Sequence, residues 1–414
     1  FIGHSVGMQG NAATNVAFPL TITCTAVSLL FGIGGAANFN LSMGRKKAEE
    51  AKHFIGNAIF LMLSFGICFC LVVCLFLNPL LKLFGATADI LTYSQTYTSI
   101  SAFGFPFLIL STGGSNLVRA DGSPRFSMTC TLVGCLVNLI LDPLFIFVFH
   151  MGVAGAAVAT ILSQALSAAW VLKFLCSEKS GIRLRLSGMR PDFALLRQVM
   201  ALGVSPFIMA ATESAITIVM NHGLQVYGGD LYVGSMTILQ SVLQLVFVPI
   251  SGFTNGVQPI ISYNFGLGEK KRVADTKRIA LFTSVVCGIV TTAAFILFPH
   301  ILVGLFVNPD STAALIAIEG FPYFSLAFVF FIINLMLIGY YQSVENVKLA
   351  NLFALLRGFV FLIPCFILLP EAMGTNGAWL ALCLSEMLTI LTVAVLFILR
   401  KKKTLLHQTG EECS

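Results

Sequence analysis

Along this 414-residue chain the apolar positions neither alternate nor follow a narrow helical stripe. They gather into long runs separated by short polar breaks. Eleven runs stand out, at about 11–40, 53–77, 92–118, 125–149, 152–175, 197–227, 231–263, 276–306, 312–341, 347–369 and 375–399, each long enough to cross a hydrocarbon layer about 30 Å thick. In lipid the backbone must satisfy its own hydrogen bonds, so only helices or a closed barrel can span, and continuous apolar runs select helices. Turn residues punctuate the runs at Asn78-Pro79, Ala120-Asp121-Gly122-Ser123-Pro124, Tyr227-Gly228-Gly229-Asp230 and Asn308-Pro309-Asp310. The predicted fold class is an all-α, polytopic membrane protein. The longest polar stretch, 176–196, separates an N-terminal lobe, 1–180, from a C-terminal lobe, 181–414.

Composition agrees: 57% of the residues are hydrophobic and 10% charged, where a soluble domain carries about 25% charged residues. The net charge of +6 is spread periodically. Loops at 44–52, 119–125, 173–197, 270–278 and 345–348 and the tail 400–403 hold all of the Lys and Arg except Lys82 and Arg357. That alternation follows the positive-inside rule and places these loops and the C-terminus in the cytoplasm of a multi-pass protein of the cell (inner) membrane. Nucleic acid is excluded as a partner, since its footprint would be one basic patch. Most of the 11 cysteines lie inside apolar runs as small hydrophobes, without metal-ligand or disulfide spacing.

The two halves resemble each other. At an offset of 224, Gly10, Gly32, Asn40, Gly44, Lys46 and Lys47 fall on Gly234, Gly256, Asn264, Gly268, Lys270 and Lys271. At 222, Gly152, Gly155, Ala156, Ala159 and Ser163 fall on Gly374, Gly377, Ala378, Ala381 and Ser385, and Gln164 falls on Glu386. Phe105-Pro106 and Phe321-Pro322 form a further pair. Six spans separate equivalent positions, so the repeat is parallel, about an axis along the membrane normal. The expected architecture is two pseudo-symmetric six-helix bundles, the first lacking its first helix so that eleven helices are present, with a cleft between the bundles for cargo.

The segment Asn138-Leu-Ile-Leu-Asp142-Pro143-Leu-Phe, with Gly152-Val-Ala-Gly155-Ala-Ala after it, resembles a helix-five to helix-six signature of the multidrug and toxic compound extrusion (MATE) family. So do Phe1-Ile-Gly-His, the Asn40-x-x-x-Gly44 and Asn264-x-x-x-Gly268 helix ends, and Arg357 ahead of Ile363-Pro364. The resemblance covers the whole chain. It implies a secondary active antiporter that exports organic, cationic compounds in exchange for H⁺ or Na⁺ by alternating access. It further implies no cofactor beyond the coupling ion, small-molecule substrates and membrane lipids as partners, and a monomer.

Ionisable residues at membrane depth are costly, and they face cavities or partners. Asp142 and Thr160 sit eight residues from the external ends of adjacent antiparallel helices, and Asn138 shares a helix face with Asp142. Pro143 removes a backbone donor and frees a carbonyl. Together they form an oxygen-rich candidate for a proton or Na⁺, the one metal suggested; the bland alternative is an Asp-Pro helix start. Glu213, deep in an apolar run, resembles the family's helix-seven glutamate, a cation ligand in some members; the aspartate paired with it there is missing from the run around Asn334. Gln164 and Glu386, with Gln240, Gln244, Asn255 and Gln258, are candidates for the substrate cleft or for interhelical hydrogen bonding. Arg357 is placed toward the cytoplasm, which leaves the mid-membrane ionisable groups acidic and favours cationic cargo. The competing reading is a flippase for a lipid-linked saccharide of the same superfamily, whose anionic cargo would call for basic groups in the cleft. An enzyme would need a catalytic cluster, and none is found.

Overall fold

The computed structural model describes residues 8–84, 86, 88–178, 180, 181, 183, 184, 189–304 and 311–411, with the side chains of 8–12, 15, 88, 89, 213–234, 237, 313, 375 and 396–411 outside that description. The described chain is helical: α1 (Met8–Gly44), α2 (Ala48–Leu75), α3 (Leu77–Leu83), α4 (Ala88–Ala102), α5 (Phe105–Ala120), α6 (Pro124–Pro143), α7 (Gly152–Cys176), α8 (Phe193–Gly266), α9 (Lys270–Leu297), α10 (Pro299–Gly304), α11 (Thr312–Ser325), α12 (Ala327–Ser343), α13 (Val347–Leu355), α14 (Ile363–Met373) and α15 (Thr375–Glu411). Two π-helical segments, Leu144–Val148 and Leu356–Leu362, continue α6 and α13.

Among the described residues, nine helical stretches are long and apolar enough to cross a membrane, and α11 with α12, bent by 52°, make a tenth. The expected span 92–118 is α4 and α5, of 15 and 16 residues, broken at Phe103-Gly104. Outward-facing apolar side chains such as Leu139, Ile140, Ile279, Phe282 and Val290 are exposed, as lipid-facing positions require and as a water-soluble surface does not tolerate in contiguous bands.

Contacts group the chain into two units, the first Phe1–Ala211 with Pro259–Lys270, the second Thr212–Gln258 with Lys271–Ser414. The first unit runs past the expected division at 180 because the ends of α8 pack on α1. A Cβ at Gly34 would lie 2.0 Å from the Val199 carbonyl oxygen, and one at Gly44 2.2 Å from that of Tyr263. Gly34 and Gly44 are separated by about 15 Å of helix, whereas Val199 and Tyr263 would be about 96 Å apart on a straight helix. α8 therefore doubles back between those contacts and supplies two spans, Phe193–Thr212 and Ile238–Gly266. The expected turn at 227–230 falls between them, where the backbone is described as helix and the side chains lie outside the description; the expected loop 308–310, the segment 1–4 and the side chains of the tail 400–403 also lie outside it.

The first unit's core centres on Cys24, Phe31, Phe54, Ile59, Met62, Ile109 and Leu117. Gly32 and Gly35 let α1 approach Gly113 and Ala58 closely. The second unit's core is aromatic: Phe295, Phe321, Phe324, Phe328, Phe366 and Trp379, with Phe295 and Phe328 edge to face at 4.6 Å.

The backbone carries the duplication more clearly than the side chains do. α2 and α9 start and end 222 residues apart, each is followed by a short helix, α3 or α10, and each of the paired spans α6 and α13 runs into a π segment. Positive φ recurs at this spacing or one residue from it: Lys46 (60°) and Gly268 (80°) at 222, Gly122 (85°) and Glu345 (56°) at 223, Gly152 (53°) and Gly374 (62°) at 222. The first pair closes its helices in the same way, Lys47 N–H donating to the Ser42 carbonyl and Glu269 N–H to that of Asn264, as in a Schellman cap. The offset of 224 at the first helix ends is thus corrected to 222, because the left-handed residue, not the shared glycine, marks the equivalent position. Phe105-Pro106 and Phe321-Pro322 are not equivalent: Pro106 opens α5, and Pro322 lies near the end of α11.

Candidate functional sites

In the first unit, α6 and α7 run antiparallel. Ser167 Oγ donates to the Cys130 carbonyl at 2.9 Å, Gly134 packs on Ser163 and Ser167, and Gly155 on Phe145. These contacts bring Thr160 on α7 to within about a turn of the levels of both Asn138 and Asp142 on α6.

Asn138 Nδ2 donates to Asp142 Oδ1 at 3.4 Å, one turn apart on α6 and half-buried. α6 continues through Asp142-Pro143, so Asp142 is inside a helix and not at its start. Proline has no N–H for the Leu139 carbonyl one turn back, which leaves an acceptor on the face of the same turn. Thr160 donates its hydroxyl to the Ala156 carbonyl at 2.9 Å, and its oxygen retains lone pairs. Tyr97 on α4 lies within electrostatic range of Asp142. Sequence reasoning missed it; a tyrosine within an apolar run, on a helix lined with hydroxyls, was the available signal.

In the second unit, Glu386 is fully buried. Its Oε1 accepts from Arg357 Nε at 2.5 Å and its Oε2 from Asn334 Nδ2 at 2.6 Å. The guanidinium carbon stands 4.4 Å over the Phe331 ring. The expectation of mid-membrane groups that are all acidic is therefore corrected: Arg357 reaches Glu386 and compensates its charge within the bundle. Gln258 Nε2 donates to Gln342 Oε1 at 3.0 Å. Gln164 is half-buried beside Gly104, Gln240 and Asn255 are half-buried, and Gln244 is exposed. The side chain of Glu213 lies outside the described residues. Among the described residues no cluster of His, Cys, Asp and Glu could hold a metal ion.

The chain matches the family model MatE over residues 1–144 and 206–367. It is 25% identical to the multidrug export protein MepA of Staphylococcus haemolyticus over 98% of this chain and 89% of the relative. MepA of Staphylococcus saprophyticus is 26% identical over 97% of this chain and 89% of its own length. Among solved structures, a ligand complex of the MATE multidrug transporter DinF-BH superposes with a TM-score of 0.86 at 29% identity, covering 96% of this chain and 89% of that one. A MATE structure in complex with MaD3S gives 0.89 at 18% identity, covering 96% and 89%.

Proposed function

The chain belongs to the MATE family of multi-span membrane transporters, and from that premise we propose that it exports organic, cationic small molecules in exchange for H⁺ or Na⁺ by alternating access. The observation that carries the reading is the Asn138–Asp142 pair inside α6, beside a proline and a π segment. A carboxyl group half-buried in an apolar span can release its charge only to a proton or a cation. Asn138, the free carbonyl before Pro143 and the Thr160 oxygen supply further acceptors at about its level. Occupancy of Asp142 by the coupling ion, and its release, then alternate with cargo binding.

Cargo preference follows from charge. A lipophilic cation gains from burial of its apolar body, at about 25 cal/mol per Å², and from a carboxylate that has no cationic side-chain partner among the described residues. Asp142 supplies that carboxylate in the first unit. Glu386 adds little, because Arg357 already neutralises it. The same ion pair argues against a lipid-linked saccharide as cargo: the guanidinium that would meet an anionic headgroup is engaged by Glu386. Gln164, Gln240, Gln244, Asn255 and Gln258 are assigned as neutral polar positions along the cargo path.

The test is efflux from proteoliposomes loaded with ethidium or another planar organic cation, under an imposed H⁺ or Na⁺ gradient. Export that follows one of these gradients and favours cations over anions of similar size supports the reading. Export indifferent to both gradients, or selective for anions, overturns it.

A further inference from the structure

Glu386 is the one charged side chain among the described residues that is fully withdrawn from the surface. Two helices besides its own hold it. Arg357, in the π segment Leu356–Leu362, donates Nε to Oε1, and Asn334 on α12 donates Nδ2 to Oε2. Asn334 also donates to the backbone carbonyl of Glu386 at 3.1 Å. Both carboxylate oxygens thus face N–H donors. Of these donors only Arg357 brings a positive charge, the compensation that a carboxylate withdrawn from solvent needs.

The internal repeat shows that this charge is not demanded by packing. At the 222-residue offset, Asn334, Arg357 and Glu386 fall on Thr112, Cys135 and Gln164, all uncharged. The first unit builds the equivalent helices without an ion pair. It carries instead an ionisable group at Asp142, where the second unit has Pro364. Among the described residues, Asp142 thus has no cationic side-chain partner and Glu386 has one.

Among the described residues, Glu386 interacts with one titrating group besides Arg357. Cys383, one turn away on α15, feels its charge. Glu319 on α11 and Glu371 on α14 make no ion pair or hydrogen bond with it, and Tyr340 on α12 is covered by Lys277 at 4.2 Å. Arg357 is the only cation among the described residues that reaches it.

We propose that Arg357 is a tethered counter-cation that holds Glu386 as a carboxylate and keeps it out of proton exchange, so that a neutral side chain at 357 turns Glu386 into a second proton-binding site. This builds on the assignment of ion coupling to Asp142. The role of Arg357 is positional and electrostatic: it acts through Glu386 and touches no cargo.

Infrared difference spectra of the purified protein between high and low pH test this directly, because only a protonated carboxyl group shows the carboxylic-acid C=O stretch. Arg357→Met should add such a band and take up about one more proton per protein. Arg357→Met/Glu386→Gln should lose both, and Arg357→Lys, which retains the cation, should match the unsubstituted protein. Thermal unfolding run alongside reports which variants fold. If Arg357→Met does not fold, Glu386→Gln alone decides: an unchanged spectrum supports the proposal, and loss of a band shows that Glu386 already exchanges a proton and overturns it. A folded Arg357→Met without the new band also overturns it. Failure of the Asp142 assignment would appear elsewhere, as unaltered gradient-driven efflux in Asp142→Asn, and would leave the Glu386 band where it is.

Discussion

Substituting Gly203 by alanine should loosen the first unit, and the structure gives the size of the effect. An added Cβ would lie 1.7 Å from the Leu30 carbonyl oxygen and 2.6 Å from the Leu30 carbonyl carbon. The obstacle is backbone, so no side chain can swing aside. To restore an ordinary separation of about 3 Å, the first arm of α8 must move out by roughly 1.3 Å along the crossing. A radial gap of about 0.5–1 Å already forfeits a quarter to a half of each dispersion contact, and overpacking of this kind costs about 1–3 kcal/mol. At about 2–4 °C per kcal/mol for a large domain, the unfolding midpoint should fall by about 2–12 °C. Gly256, on the same helix, has nothing within 4 Å of a built Cβ. Gly256→Ala should therefore leave the midpoint unchanged or raise it slightly, since alanine favours helix over glycine by about 1 kcal/mol. Thermal unfolding of the detergent-solubilised protein, followed by thiol labelling of buried cysteines such as Cys24, compares the two. Equal midpoints would refute the packing of α8 on α1 and the doubling-back argument built on it.

Three other outcomes are expected. Asn57, fully buried, accepts the Asp192 N–H at 2.9 Å just ahead of α8; Asn57→Ala should cost about 1–3 kcal/mol and speed proteolytic cleavage of the 177–192 linker. Gly374 combines φ 62° with ψ −143°, a region open in practice to glycine alone, so Gly374→Ala should destabilise by about 1–3 kcal/mol although its side chain would meet open space, as thermal unfolding will show. Tyr97→Phe, which removes a hydroxyl within range of Asp142, should shift the pH midpoint of efflux without changing the amount of folded protein recovered; an unmoved midpoint would separate Tyr97 from the Asp142 site.

Apolar runs and loop charges made the helices and their number legible, because lipid leaves the backbone few choices. The Asn138–Asp142 pair was legible for a similar reason: a four-residue spacing on one helix puts two side chains on one face whatever surrounds them. Arg357 and Glu386 are different. They lie 29 residues apart on separate helices, and only the packing of the π segment against α12 and α15 brings them together. The repeat register was misjudged by two residues at the first loop, since Lys46 takes the left-handed position that glycine holds at 268. A lysine there has no compositional signature, while its φ of 60° is unmistakable.

The account stands or falls on Asp142 as the group that couples ion movement to export. Asp142→Asn keeps the shape of the side chain and can still engage Asn138 through its amide, but it can neither exchange a proton nor present a charge to a cation. Reconstituted into proteoliposomes and given an imposed ion gradient, the variant is expected to retain binding of neutral compounds and its thermal stability while losing gradient-driven cation efflux. Efflux at the unsubstituted rate, still following the gradient, would contradict the account.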